Sequence, residues 1–340
     1  MFIEFNMLKL YRIFFLVIIY LFVYNSCKNP DSKLDTLQTV DPELQLLNES
    51  IQKDPENDSL YFYKAFYYFE RDSYEVAIVN LNKALSIDST FKPAYYQLLA
   101  DVYLANIQSK EALEIIDKAL IYFPNEISVI LKSSQIKLIL KQHMAALATL
   151  NKIFIRDPQN AEAYYLAGHI FYEMGDTGRA VNSYQKAVDF NPDMRAAWVQ
   201  LGDVLSDLKN PRAISYYQNA ILLDSIDPEI FHKKAFALYS FGKTAEAIAL
   251  YKRSCLKFPN YEPFFFNLGF IYLELDSLDK AIEHFTIATQ LNPVEASGFY
   301  QRGVAYQQKG VNAQAKTDFQ QALQLDSTLE LAKIALRKLK

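Results

Sequence analysis

Four histidines and two cysteines are the residues of this chain best equipped to ligate a metal or attack a substrate, and their placement suits neither task. His143, His169, His232 and His284 occupy unrelated positions with no HExxH pair, and Cys27 and Cys255 stand far apart with no CxxC arrangement. No GxGxxG, GxxxxGK or GxSxG segment occurs, so neither a phosphate cradle nor a nucleophile elbow is present. Acidic pairs are plentiful, as on any solvated helix; the best placed is Asp203 with Asp207, four residues apart and hence on one helix face. That pair is expected either to receive a basic segment of a ligand or to be a solvated acidic face. The net charge of -4, without long runs of one sign, lacks the basic footprint of a phosphate-tracking protein, so nucleic acid is not an expected partner. These residues predict no enzyme, no metal site and no small-molecule cofactor.

Cys27 belongs to a different chemistry. Lys9 and Arg12 precede an apolar run from Ile13 to Val23, followed by Tyr24, Asn25, Ser26 and Cys27, which is the layout of an export signal. The uninterrupted run of eleven residues is short for a spanning helix, which needs roughly 20. The small Ser26 before Cys27 resembles the lipobox of bacterial lipoproteins, whose leader is cut before a cysteine that then carries lipid; Tyr24 stands where that family has Leu, and Asn25 where it has a small or hydroxylated residue. The resemblance implies lipidation at Cys27, export, and a place in a bacterial cell envelope, on the periplasmic or surface side. An ordinary cleaved signal and an uncleaved short anchor are the other two readings of the segment. Residues 1–27 are thus expected to be a leader, and the polar, Pro30-containing stretch 28–40 a flexible tether.

Beyond the tether a repeat dominates. Ala77, Ala112, Ala146, Ala180, Ala213, Ala247, Ala281 and Ala315 recur at a period of 34, with one spacing of 35 and one of 33. A second column, twelve residues earlier in most copies, holds only small residues: Ala65, Ala100, Ser134, Gly168, Gly202, Ala235, Gly269 and Gly303. A third column is read as Ala84, Ala119, Ile153, Ala187, Ala220, Cys255, Ala288 and Ala322. Small side chains at fixed helical phase let antiparallel helices approach closely where they cross. Large residues such as Tyr164 and Trp198 lie four before the second column, and others such as Tyr184 and Phe285 four after the first. Each unit therefore reads as an amphipathic helical hairpin. Gly175, Gly242 and Gly310, with Asp72, Asn106 and Asp276 at the equivalent places, fall where the first helix must stop, and a proline or serine recurs where the second one ends.

These columns resemble the tetratricopeptide-repeat (TPR) family, most plainly in the copy AEAYYLAGHIFYEMGDTGRAVNSYQKAVDFNP beginning at Ala161. The resemblance implies an all-α fold, a right-handed superhelical α-solenoid of about eight helix-turn-helix repeats over residues 58–329. A partial N-terminal repeat helix is expected over 41–57 and a C-terminal capping helix over 330–340, the latter carrying Lys333, Arg337, Lys338 and Lys340 as its polar face.

In that family the first helix of every hairpin lines the inside. Carried over, the inner wall would hold Phe62, Tyr63, Phe66 and Phe69, then Tyr165, His169 and Tyr172, then Asp203 and Asp207, then Phe236, Tyr239, Phe266, Phe270 and Tyr300. Rigid rings of this kind suit an extended peptide or a partner helix; the competing reading is that many of them pack between adjacent first helices. The Lys-Asn-Asn-Lys-Arg clamp of some TPR cochaperones is absent from the inner positions, and only Asn267 falls where the nutrient-sensing sugar transferases carry an asparagine ladder. The expected function is a non-enzymatic scaffold or adaptor that binds a protein or peptide ligand in its groove and is held to a membrane through its N-terminal lipid. A selective peptide receptor with a signalling duty is the alternative.

Overall fold

The computed structural model describes residues 41–88 and 92–339; the expectations for the leader, for Cys27 and for the tether lie outside the described residues. Among the described residues there are eighteen helices and no strand.

The chain divides into two units, ending and beginning at Pro55 and Glu56. In the first, helix α1 spans Pro42–Lys53. Pro42 stands at its start, where a missing N–H costs nothing, and the Asp41 carboxylate accepts a hydrogen bond from the Glu43 amide at 2.9 Å.

The second unit contains eight hairpins. In chain order they are α2 (Asp58–Phe69) with α3 (Tyr74–Ile87), α4 (Pro93–Ala105) with α5 (Ser109–Tyr122), α6 (Ile127–Ile139) with α7 (His143–Phe154), and α8 (Ala161–Glu173) with α9 (Thr177–Phe190). Then come α10 (Arg195–Asp207) with α11 (Ala213–Leu223), α12 (Pro228–Ser240) with α13 (Thr244–Lys257), α14 (Glu262–Glu274) with α15 (Leu278–Leu291), and α16 (Ala296–Gln308) with α17 (Asn312–Leu325). A last helix, α18 (Glu330–Lys338), packs on α17.

Every first helix stops in the same way. One residue turns left-handed, and the amide after it reaches back five residues to a carbonyl of the helix, as Asp176 N–H does to Phe171 at 2.9 Å. Glycine holds this position in three repeats, at Gly175, Gly242 and Gly310. Asp72, Ile107, Lys141, Lys209 and Asp276 hold it in the other five, with φ between 54° and 60°. The second repeat corrects the sequence expectation: the left-handed residue is Ile107, and Asn106 before it stays on the right-handed side with φ -82°.

Packing follows the columns. The alanines from Ala77 to Ala315 are all fully buried. Where the second column holds glycine, an aromatic ring of the partner helix fills the space: a Cβ at Gly168 would lie 2.5 Å from the Tyr184 ring, and one at Gly269 would lie 2.8 Å from Phe285. The third column needs one correction. Seven residues after Ala247 stands Ser254, and it is this serine that is buried, while Cys255 is half-buried one position further on. Burial pushes the Cys255 thiol up to about 11, which keeps it protonated and unreactive. The shortened spacing before Ala213 is absorbed in the turn at Pro211 and Arg212, so α11 loses its first residues and is the shortest of the paired helices.

The core belongs to neighbours jointly. One cluster joins Tyr96 of α4, Ile116 of α5 and Ile136 of α6, and another joins Leu150 of α7 to Ala163 and Ile170 of α8. Each hairpin thus buries its apolar face against the next one, as a solenoid requires. Successive first helices also meet directly, α2 with α4, α4 with α6, α6 with α8, α10 with α12 and α14 with α16, whereas successive second helices come less close. Closer spacing on one side of a stack makes that side the inner one, so the first helices supply the concave surface.

Candidate functional site

The inner surface is built of rungs that repeat with the fold. The residue after the second-column position in one repeat faces a residue two before it in the next, and twice this rung is an ion pair. Lys132 donates to Asp101 at 2.8 Å, and Lys233 donates to Asp203 at 2.7 Å. A second rung joins the last turns of adjacent first helices: the Tyr172 hydroxyl donates to Asp207 at 3.3 Å, and the Tyr239 hydroxyl donates to Glu274. Both rungs tie neighbouring units across the groove floor.

The residues expected on the inner wall divide by exposure. Tyr63, Phe66, Tyr172 and Phe236 present their rings to solvent, Tyr63 with 59% of its surface accessible. Others are packed. Phe62 stacks on Tyr95 at 4.8 Å, Phe69 lies against Tyr74, Phe266 meets Phe285 edge-on at 5.7 Å, and Tyr300 lies 5.8 Å from Phe319. Tyr239 and Phe270 are half-buried against the core of the sixth and seventh repeats. Asp207 is exposed; Asp203 also accepts from the Tyr217 hydroxyl at 2.8 Å, so its charge is met from within the chain.

In the fourth repeat, Tyr165 and His169 form an aromatic niche over Tyr184. The His169 ring stands edge-on to both, at 4.6 Å and 5.3 Å between centroids. Burial holds the His169 pKa below the usual range, partly offset by Glu173, so the ring is neutral and packs as an aromatic. His169 occupies the place that Asp203 holds one repeat later. Tyr217 therefore has a carboxylate to donate to, whereas the buried hydroxyl of Tyr184 has no hydrogen-bond partner among the described residues.

Between the fifth and sixth repeats the inner face opens into a cleft of about 300 Å³, lined by Asp203, Asp207, Tyr217, His232, Lys233 and Phe236 among others. Burial, with the adjacent Lys233 ammonium, pushes His232 down to about 4, so it too is neutral, and its Nδ1 lies 3.3 Å from the Tyr251 hydroxyl. The cleft offers an aromatic wall, one exposed carboxylate, and a compensated Asp–Lys pair. Such a surface can seat a side chain; it holds no nucleophile activated by a base. Lys233, Tyr217 and His232 were not among the residues expected from sequence. The signal for Lys233 was present, since Asp101 and Asp203, and Lys132 and Lys233, occupy matching repeat positions. Among the described residues, no group of three histidine, cysteine or acidic side chains could hold a metal ion, and no helix is long and apolar enough to cross a membrane.

Comparison with known proteins agrees with this architecture. Family profiles described as TPR repeat and tetratricopeptide repeat match residues 168–208, and 263–295 with 296–329, respectively. The chain carries tetratricopeptide repeats. It is 28% identical over 184 residues to human protein O-mannosyl-transferase TMTC1, a match covering 53% of this chain and 21% of that protein. It is 22% identical over 269 residues to a TPR repeat-containing protein of Methanocaldococcus jannaschii, covering 75% of this chain and 40% of the relative. It is 23% identical to the bovine BBSome complex member BBS4, covering 63% and 41%. The chain thus spans only about a fifth to two-fifths of the length of these curated relatives.

Among solved structures, the C-terminal part of a TPR repeat-containing protein from Cytophaga hutchinsonii superposes with a TM-score of 0.60 at 18% identity, covering 71% of this chain and 99% of that one. Pseudomonas aeruginosa pilF does so with a TM-score of 0.50 at 19% identity, covering 62% and 96%. At such identities the likeness defines the fold, an α-solenoid of TPR hairpins. Arrays of this class are protein-interaction scaffolds, and the repeats imply that class for this chain.

Proposed function

We propose that this chain is a non-enzymatic scaffold that takes a segment of a partner protein along the inner face of its first helices. The observation that carries the reading is the row of solvent-facing rings on that face, Tyr63, Phe66, Tyr172 and Phe236, the last two on helices tied to a neighbour by the inter-repeat rungs. Rings already held by a rigid scaffold lose little freedom on binding and offer large contact area. The basic and apolar leader ending at Ser26 and Cys27 supports the further reading that the scaffold is lipid-anchored and works on the exported side of a bacterial envelope.

The test is capture of the protein by its C-terminus from its own membranes, with mass spectrometry of the mature N-terminus and of whatever co-purifies. An acylated Cys27 with a reproducible set of partners is the expected result; an unprocessed N-terminus removes the anchor. Replacing Tyr172 and Phe236 singly by alanine should then lower affinity for the captured partner, by about 1 kcal/mol each if contact is spread along the groove. Both rings lie outside the buried core, so stability should hold in Phe236→Ala and fall by no more than about 1 kcal/mol in Tyr172→Ala, which loses the hydrogen bond to Asp207. Unchanged affinity in both variants would remove this face as the contact.

The cleft beside Phe236 favours a second reading, a selective peptide receptor. In that case Phe236→Ala alone would cost roughly 2 kcal/mol or more, the loss expected of a single anchor in a pocket.

A further inference from the structure

The seven-after position of the second helix is apolar in seven repeats, as Ala84, Ala119, Ile153, Ala187, Ala220, Ala288 and Ala322. In the sixth it is Ser254, 2% exposed, and its hydroxyl has no partner among the described residues. An unpaired buried hydroxyl costs about 1–3 kcal/mol. Ser254 is one of the residues lining an open cleft of about 290 Å³ formed by α11, α12 and α13, distinct in its lining from the cleft on the inner face. Phe231, Leu250 and Ile221 give this cleft an apolar surface.

Three cations line the same cleft: Lys234, Arg253 and Lys257. Lys234 donates to Gln218, and Lys257 donates to the Ser225 carbonyl while lying 4.9 Å from the centre of the Phe231 ring. Among the described residues, none of the three has a carboxylate within ion-pair distance. Burial, and after it the nearby Arg253 guanidinium, hold the Lys234 ammonium below the usual lysine range, partly offset by the Glu246 carboxylate.

The eighth repeat shows how the fold meets this need elsewhere. The position of Lys234 is taken there by Arg302, which donates to both carboxylate oxygens of the buried Asp318 at 2.8 Å and 2.7 Å. The same guanidinium reaches the Thr289 hydroxyl at 3.0 Å. The residue matching Asp318 in the sixth repeat is Leu250, so the carboxylate is gone while the number of cations has risen.

We propose that this cleft binds an organic phosphate monoester, a dianion whose oxygens would meet Lys234, Arg253, Lys257 and the Ser254 hydroxyl and whose compact apolar body would rest on Phe231 and Leu250. A dianion suits three cations better than the single carboxylate that answers Arg302. The phosphate can come from a soluble metabolite or from the headgroup of a phosphatidate. Exposed leucines, Leu222 and Leu256, stand one residue along from the lining residues Ile221 and Lys257 and would lie toward acyl chains in the second case.

The experiment is calorimetric titration of the full chain with phenyl phosphate, beside a sedimentation assay with phosphatidylcholine vesicles with and without phosphatidate. Saturable binding of phenyl phosphate supports a soluble source; binding only to the phosphatidate vesicles supports a headgroup. In either case Arg253→Gln should weaken binding about tenfold or more, the effect of removing a charge-assisted contact. Ser254→Ala should weaken it severalfold while leaving the protein at least as stable, since it removes an unpaired buried hydroxyl. Arg253 is exposed, so its variant is expected to fold. Failure of both probes, or affinity unchanged in Arg253→Gln, would overturn the proposal.

Discussion

Ile107 closes the second hairpin with a backbone that a β-branched residue avoids. Its φ is 60°, and its side chain is 89% exposed, so no packing compensates for the crowding of Cβ against the carbonyl. Glycine adopts this conformation freely, and Gly175, Gly242 and Gly310 do so at the same place. Ile107→Gly should therefore stabilise the protein by about 1 kcal/mol, read as a higher urea midpoint at unchanged slope. A lower midpoint would show that the isoleucine makes a contact that outweighs the strain. The sequence pointed to Asn106 because asparagine tolerates the left-handed region better than isoleucine. What placed the turn one residue later is the five-residue reach of the Gln108 amide back to Tyr103, at 2.7 Å, a closure set by helix geometry and not by residue preference.

At the level of the hairpin, two columns are fitted to each other. Gly168, Gly202, Gly269 and Gly303 face Tyr184, Tyr217, Phe285 and Phe319, whereas Ala65, Ala100 and Ser134 belong to hairpins carrying Leu81, Ile116 and Leu150 four after the alanine column. The backbone gives way to a large ring in four hairpins, while in the sixth Ala235 and Tyr251 are both fully buried together. Gly269→Ala would put a methyl 2.8 Å from Phe285 and should cost about 1–3 kcal/mol. Phe285→Leu in the same chain should recover part of that loss, because the pair then matches Ala65 and Leu81 of the first repeat; a double variant no better than the sum of the two single changes would refute the fit. Both columns were legible in the sequence, since packing positions recur every 34 residues regardless of partner. The Ser254 position was misread by one residue, because Cys255 is also small and apolar and nothing local distinguishes the two phases.

For the array as a whole, stability is passed between neighbours, and the ends are its weak points. Helix α18 and the residue that caps it supply Ala335, Leu336 and Leu339 to a cluster with Ala315 and Phe319 of α17. Removing residues 330–340 should cost roughly 2 kcal/mol of buried apolar surface at that end. Amide exchange should then quicken in α16 and α17 while α8 to α10 keep their protection; equal loss along the chain would mean that the repeats unfold as one block. The scale of the molecule also sets what sequence could say of the candidate site. Repeat columns place the first helices inside, but whether a ring such as Phe62 packs or faces solvent depends on Tyr95 of the next unit, and the pairing of Asp203 with Lys233 joins residues thirty positions apart. Those ion-pair rungs have a mechanical consequence. They lie on the inner edge, where a small change of angle at each junction accumulates along the stack, so the Asp101–Lys132 and Asp203–Lys233 closures should resist widening of the groove at their own junctions. Both pairs are partly buried, so salt screens them less than the fully exposed pairs of the surface, and the width of the groove should hold as ionic strength rises.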